Sequence, residues 1–159
     1  MPPLGNGPEG WIGSYMKVDR SETAMPLRLY KDGFDVWLAV TRGQVGSREH
    51  KEYEFEEEGF WDWSFQDLAV YETKAFFDFI YNETHRPISY MGFSQGTTQM
   101  FFAIGLEYEY YAERTNKVAQ ISPCTIPVAN AFKMYDKEFI ESLKEHNQFV
   151  VAGPNWEDD

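Results

Sequence analysis

The chain is poor in the residues that carry most chemistry near neutral pH. Its 159 residues include one cysteine and three histidines. A lone Cys124 excludes an internal disulfide and offers no thiolate cluster for a metal. With no base near it in sequence, it reads as a small buried residue rather than a nucleophile. Basic residues are also scarce, 14 against 26 acidic ones, for a formal charge of −12. Without a cationic footprint, neither nucleic acid nor an anionic membrane surface is an expected partner. No apolar run approaches the roughly 18 residues of a membrane span. The opening Met1-Pro2-Pro3-Leu4-Gly5 has neither a basic nor an apolar leader pattern, so no signal peptide is expected. Internal repeats and low-complexity stretches are lacking too. The expectation is a soluble chain, or one held inside a larger intracellular assembly, and the sequence does not fix the compartment.

Apolar residues make up 43% and aromatics 18%, enough to build the core of about one domain. The acidity gathers in residues 52–58 and in Glu157-Asp158-Asp159, which read as solvated surface.

The most informative stretch is residues 88–98, ISYMGFSQGTT. A short β-prone run leads into Gly92-Phe93-Ser94-Gln95-Gly96, and a helix-length segment follows. Gly-x-Ser-x-Gly in a strand, sharp turn and helix is the setting of a nucleophile elbow, with Ser94 on the strained turn. Gly92 and Gly96 leave room where a Cβ would strike the neighbouring strand or helix. Ser94 then stands at a helix N-terminus, whose free N–H groups favour developing negative charge.

Around it the periodicity alternates. Residues 1–13 are Gly- and Pro-rich and read as loop, anchored by Trp11 and Ile12. Residues 21–30 suit a short helix capped by Ser21, of uncertain length because of Pro26. After the turn at Lys31-Asp32-Gly33, residues 34–40 (FDVWLAV) read as a strand covered on both faces. A polar loop runs to Trp63. Ser64-x-x-Asp67 then opens a helix as a capping box, with Phe65, Leu68, Ala69, Phe76, Phe79 and Ile80 on one face. A further helix is expected over residues 97–114, with Met100, Phe101, Ile104 and Tyr108 at core spacing. Residues 119–122 suit a short strand ended by Pro123, and residues 136–147 an amphipathic helix bearing Phe139, Ile140 and Leu143. The alternation is that of an α/β protein with a parallel sheet.

Several blocks in order carry a resemblance. Gly33-Phe34-Asp35-Val36-Trp37-Leu38, Arg42-Gly43, Ser47-Arg48-Glu49-His50-Lys51, Phe60-Trp61-Asp62-Trp63-Ser64-Phe65 and Gly92 through Thr98 together resemble the acid lipase family of α/β-hydrolases, the gastric and lysosomal type. The resemblance covers residues 11–130. It implies that Ser94 is the nucleophile attacking a carboxylic ester, a lipid ester in this family, and that the backbone N–H of Gln95 is an oxyanion donor. Phe93 stands where the family usually has His. The family's second oxyanion donor comes from an upstream His-Gly segment, near where this chain has Pro2-Pro3-Leu4-Gly5-Asn6-Gly7. No cofactor or metal is implied, because this mechanism needs none.

Such a serine needs a histidine base and an orienting carboxylate, which follow it in the order Ser, Asp or Glu, His. The resemblance puts both well past residues 119–122 and past a lid, outside this sequence. Of the histidines present, His85 precedes the strand that leads to Ser94, some 16 Å away at about 3.3 Å per residue, too far for proton transfer. His50 follows the strand expected at residues 34–40 but matches a family position that is not the base. His146 follows the last helix and reads as surface.

The family's sheet also has a strand between the counterparts of residues 34–40 and 88–91, and residues 1–13 supply none. The expected fold is therefore a partial α/β-hydrolase, about three parallel strands with flanking helices, lacking N-terminal and C-terminal strands. It forms a single incomplete domain over residues 1–159, with a loop at 1–13, the hydrolase core segment at 14–130, and the start of a lid-like helical region with an acidic tail at 131–159. Unpaired edges beside the gap should make the chain unstable alone, so a protein partner that completes the sheet and the triad is expected. Two functions stay open: a lipase-like esterase that needs that partner, and a non-catalytic structural subunit of a multi-subunit assembly. A piece of an ordinary lipase is the third reading.

Overall fold

The computed structural model describes residue 1, residues 7–12 and residues 23–124. The helix expected over residues 136–147 and His146 lie outside the described residues, as does the region at 131–159.

The chain alternates helix and strand around a two-stranded parallel sheet. Helix α1 (Glu9–Ile12) falls within the stretch expected to be all loop. Trp11 on it packs edge-on against Phe93, with ring centroids 6.2 Å apart. Helix α2 (Met25–Lys31) carries Pro26 in its first turn, where the missing N–H costs nothing. Of the helix expected over residues 21–30, Met25 onward is helical, and Ser21, its expected cap, lies outside the described residues.

Residues 34–40 run on without forming a strand. Phe34, Trp37 and Leu38 on this run are exposed. Apolar β-prone composition favours a strand only where a neighbour offers ladder hydrogen bonds, and no described segment lies alongside to pair with this one. Among the described residues two strands therefore form where about three were expected.

Ser64 opens the next helix as a capping box. Its hydroxyl accepts from the Asp67 N–H at 3.4 Å, and its own N–H donates to the Asp67 carboxylate at 2.8 Å. The helix is α3 (Phe65–Asp67), then a π-helical turn (Leu68–Thr73), then α4 (Lys74–Thr84). The π turn carries one residue more than an α turn would, so the buried face shifts by one position. Leu68 and Ala69 are buried as expected, but Thr73 at the end of the π turn and Phe77 beyond it face inward while Phe79 is 57% exposed. The expected pair of Phe76 and Phe79 gives way to Phe77 for this reason.

Strand β1 (Ile88–Phe93) follows, then α5 (Gln95–Leu106), α6 (Tyr108–Arg114) and β2 (Thr115–Ile121). The one helix expected over 97–114 breaks at Glu107, and Met100, Ala103 and Tyr111 supply its buried face while Phe101 and Tyr108 are exposed. The core joins Ala69, Phe77, Tyr90, Met100, Ala103 and Tyr111. Phe77 stacks on Tyr90 and meets Tyr111 edge-on. Burial raises the pKa of Tyr90 above the usual tyrosine range.

β2 is the exposed side of the sheet: Val118 and Ile121 are 40% and 37% exposed. Parallel sheets are normally covered on both faces, so this strand is bare for its type. No described helix is long and apolar enough to cross a membrane.

Candidate active site

Ser94 sits between β1 and α5 with φ 49° and ψ −111°. A non-glycine residue in this region stores strain of about 1–3 kcal/mol and persists only where the surroundings hold it. Hydrogen bonds at its N–H and at its carbonyl hold it here. The Ser94 N–H donates to the Ile121 carbonyl at 3.0 Å, which ties the turn to the end of β2. The Ser94 carbonyl accepts from the Thr97 N–H at 2.9 Å and from the Thr97 hydroxyl at 2.6 Å. Thr97 is fully buried, so its hydroxyl is fixed in that position.

The two glycines are closely confined. A Cβ on Gly92 would lie 2.8 Å from the Gly96 backbone and 2.6 Å from the Gln120 side chain. A Cβ on Gly96 would lie 2.7 Å from the Met1 carbonyl oxygen. The turn is thus packed from both sides, by α5 against β1 and by Met1 against α5.

Gln95 is the first residue of α5, and its side chain is buried. The first N–H groups of a helix have no partner within it, so the Gln95 amide stands beside Ser94 as a donor at the positive end of a 12-residue helix. The Gln44 amide donates to the Gln95 side-chain oxygen at 3.2 Å, across the interior. Gln44 lies in a loop that reads only as polar in sequence, and no motif marks it. The same loop holds buried Thr41 and the ion pair of Arg42 with Glu72. Burial raises the Glu72 pKa, against the lowering effect of Arg42.

Met1 is a second contribution that sequence patterns do not mark. Its nitrogen donates to the Met91 carbonyl at 2.8 Å, and its carbonyl accepts from the Phe93 N–H at 3.2 Å. Residues 2–6, which follow it, lie outside the described residues.

The described histidines are placed elsewhere. His50 Nδ1 accepts the backbone N–H groups of Glu52 and Tyr53 at 3.1 and 3.2 Å, with its ring beside Tyr53 and Phe60. That nitrogen organises its own loop. His85 caps α4 in the left-handed region at φ 53°, its N–H on the Tyr81 carbonyl, at the end of β1 opposite to Ser94. Cys124 is exposed rather than buried. It lies past Pro123 at the end of β2, where backbone bonds to the Thr97 and Thr98 hydroxyls fix its main chain and leave the thiol outside. Among the described residues no group of three or more His, Cys, Asp and Glu could hold a metal ion.

No family model matches the chain. Curated relatives do. A probable lipase of Schizosaccharomyces pombe is 33% identical over 140 residues, covering 87% of this chain and 31% of the relative. Human lysosomal acid lipase/cholesteryl ester hydrolase is 35% identical over 125 residues, 74% of this chain and 31% of the relative. Triacylglycerol lipase 2 of Arabidopsis thaliana is 42% identical over 80 residues, 50% of this chain and 19% of the relative. The chain thus spans about a third or less of the length of the relatives it matches. Together with the α/β architecture around Ser94, these identities show that the chain belongs to the acid lipase family, as a partial segment of its α/β-hydrolase fold.

Proposed function

We propose that this chain carries the nucleophile of a lipase-like serine hydrolase acting on carboxylic esters of lipids, and that polypeptide outside the described residues supplies the histidine base and its carboxylate. The observation that carries the reading is Ser94 at positive φ between β1 and α5, with the Gln95 amide beside it.

In this reading a base takes the proton of the Ser94 hydroxyl as its oxygen attacks the ester carbonyl carbon. The carbonyl oxygen becomes an oxyanion, and the Gln95 N–H donates to it with the help of the α5 dipole. The C–O bond to the alcohol breaks, the alcohol leaves with the proton held by the base, and an acyl-Ser94 ester remains. Water, deprotonated by the same base, then attacks the acyl carbon and releases the acid with Ser94 restored. Nothing in this sequence needs a cofactor. His50 and His85 are engaged in their own local structure, which supports a base from elsewhere.

The bareness of β2 and the unpaired residues 34–40 favour a second reading, a lipase-derived subunit with a structural role only. Fluorophosphonate labelling of the native assembly separates the two. The esterase reading expects covalent label on Ser94 and its loss in Ser94→Ala, with turnover falling on the order of 10⁶-fold. An unlabelled Ser94 in the native assembly sinks it and leaves the structural role.

A further inference from the structure

We propose that Gln44 is a positioning residue of the esterase site. It holds the carboxamide oxygen of Gln95 away from the backbone N–H groups that open α5, which leaves the Gln95 backbone N–H open to the oxyanion of the ester. This role rests on the reading of Ser94 as the nucleophile, and it adds a residue of a remote loop that prepares the donor.

A glutamine at the start of a helix competes for the helix's own donors. Its side chain is long enough to fold back, and in a capping box a first-turn glutamine does reach back to a backbone N–H. Gln95 is the first residue of α5, where the N–H groups have no partner within the helix. Its side chain is buried, so water does not compete for the oxygen. A loose Gln95 oxygen would settle on one of these N–H groups, because a buried acceptor left unpaired costs about 1–3 kcal/mol. An N–H occupied in that way is lost as an oxyanion donor.

Gln44 removes that competition. Its amide nitrogen donates to the Gln95 side-chain oxygen at 3.2 Å, and the two residues are only 4% and 6% exposed. The turn that carries Gln44 is firmly held. The Gln44 N–H donates to the Thr41 carbonyl at 3.3 Å, and the Gln44 carbonyl accepts from the Ser47 N–H at 2.9 Å. The Gly43 N–H closes the same turn on the Ser47 carbonyl at 2.8 Å. Gly43 stands at φ 79° with the Trp61 ring 2.7 Å from where a Cβ would lie, so the indole braces the turn from outside. Trp61 is anchored in its turn, its Nε1 donating to the Phe55 carbonyl at 2.7 Å. A donor on this frame fixes the Gln95 side chain, and acts on the reaction only through it.

The test is a double-mutant cycle in the native assembly, read by hydrolysis of 4-nitrophenyl butyrate. Gln44→Met keeps the volume and removes the donor, whereas Gln95→Met removes the oxygen and keeps the backbone N–H. With the Gln95 oxygen present, Gln44→Met should lower kcat on the order of tenfold or more at unchanged KM, the mark of an interaction made in the transition state. In the Gln95→Met background the same substitution should change kcat by less than about twofold, because no oxygen remains to be misplaced. Equal losses in both backgrounds mean that Gln44 only packs, and they overturn the proposal. A loss confined to KM, or no loss at all, overturns it as well. So does an inactive Gln95→Met assembly, since the donor is backbone. Should Gln44→Met fail to join the assembly, Gln44→Asn withdraws the same amide by one methylene and takes its place in the cycle with the same expectations. A parent that neither hydrolyses the ester nor takes fluorophosphonate on Ser94 fails the hydrolase reading before any variant is made, and the role of Gln44 falls with it. An active parent without coupling between Gln44 and Gln95 fails the role of Gln44 alone.

Discussion

The Tyr90 hydroxyl donates to the Gly96 carbonyl oxygen at 2.6 Å, joining the strand before Ser94 to the helix after it. The bond is buried and spans the turn from beneath, so the geometry of Ser94 depends on a phenol three residues inside β1. Tyr90→Phe keeps the stacking on Phe77 and removes this bond. The expected loss is about 1 kcal/mol of unfolding free energy, read by urea unfolding with tryptophan fluorescence. An unchanged midpoint would show that the bond contributes nothing net.

Glycine positions should separate by sign. In Gly92→Ala the new Cβ meets the Gly96 backbone, which cannot yield without moving the turn, and a loss of about 1–3 kcal/mol is expected. Gly105 in α5 has nothing within 4 Å of the corresponding position. Gly105→Ala should stabilise by about 0.5 kcal/mol through helix propensity. The same unfolding assay compares the two, and equal effects would contradict the packing described.

The π turn makes a prediction about neighbouring phenylalanines. Phe77→Ala should cost about 3–5 kcal/mol by emptying the core. Phe79→Ala, on a mostly exposed ring that meets Trp37 edge-on, should cost well under half of that. A larger loss at Phe79 would mean that the helix continues in α register through Leu68–Thr73.

Glu72 gives a pH dependence of definite sign. Burial raises its folded pKa above the unfolded value. Its contribution is then fully present below the ordinary glutamate pKa near ~4.3 and is lost as pH rises through the raised folded value. The stability of the parent relative to Glu72→Gln should accordingly fall as the pH rises from about 4 toward neutral. Urea unfolding of both proteins across that range reads it, and a difference that grows in the parent's favour would show that the Arg42 pairing outweighs burial.

Local features were legible because their causes lie within a few residues. Ser64 and Asp67 mark a helix start through bonds between neighbours, and they make those bonds. The strand, turn and helix around Ser94 follow from glycine spacing and a change of hydrophobic period, and the structure has that order. The π turn was not legible, because an extra residue per turn leaves composition unchanged and only the packing of Phe77 against Tyr90 reveals it.

By itself the sequence determined the α/β alternation, the position of Ser94 on a turn and the family, all of which depend on local spacing or on ordered blocks of residues. Tertiary structure decided what needs two distant segments to meet. Residues 34–40 have strand composition, yet a strand exists only where a neighbour completes its ladder, and that depends on what lies alongside. Gln44 reaches Gln95, Met1 reaches Gly96 and Cys124 is left outside for the same reason: each depends on where remote backbone is brought in space, which no local pattern encodes.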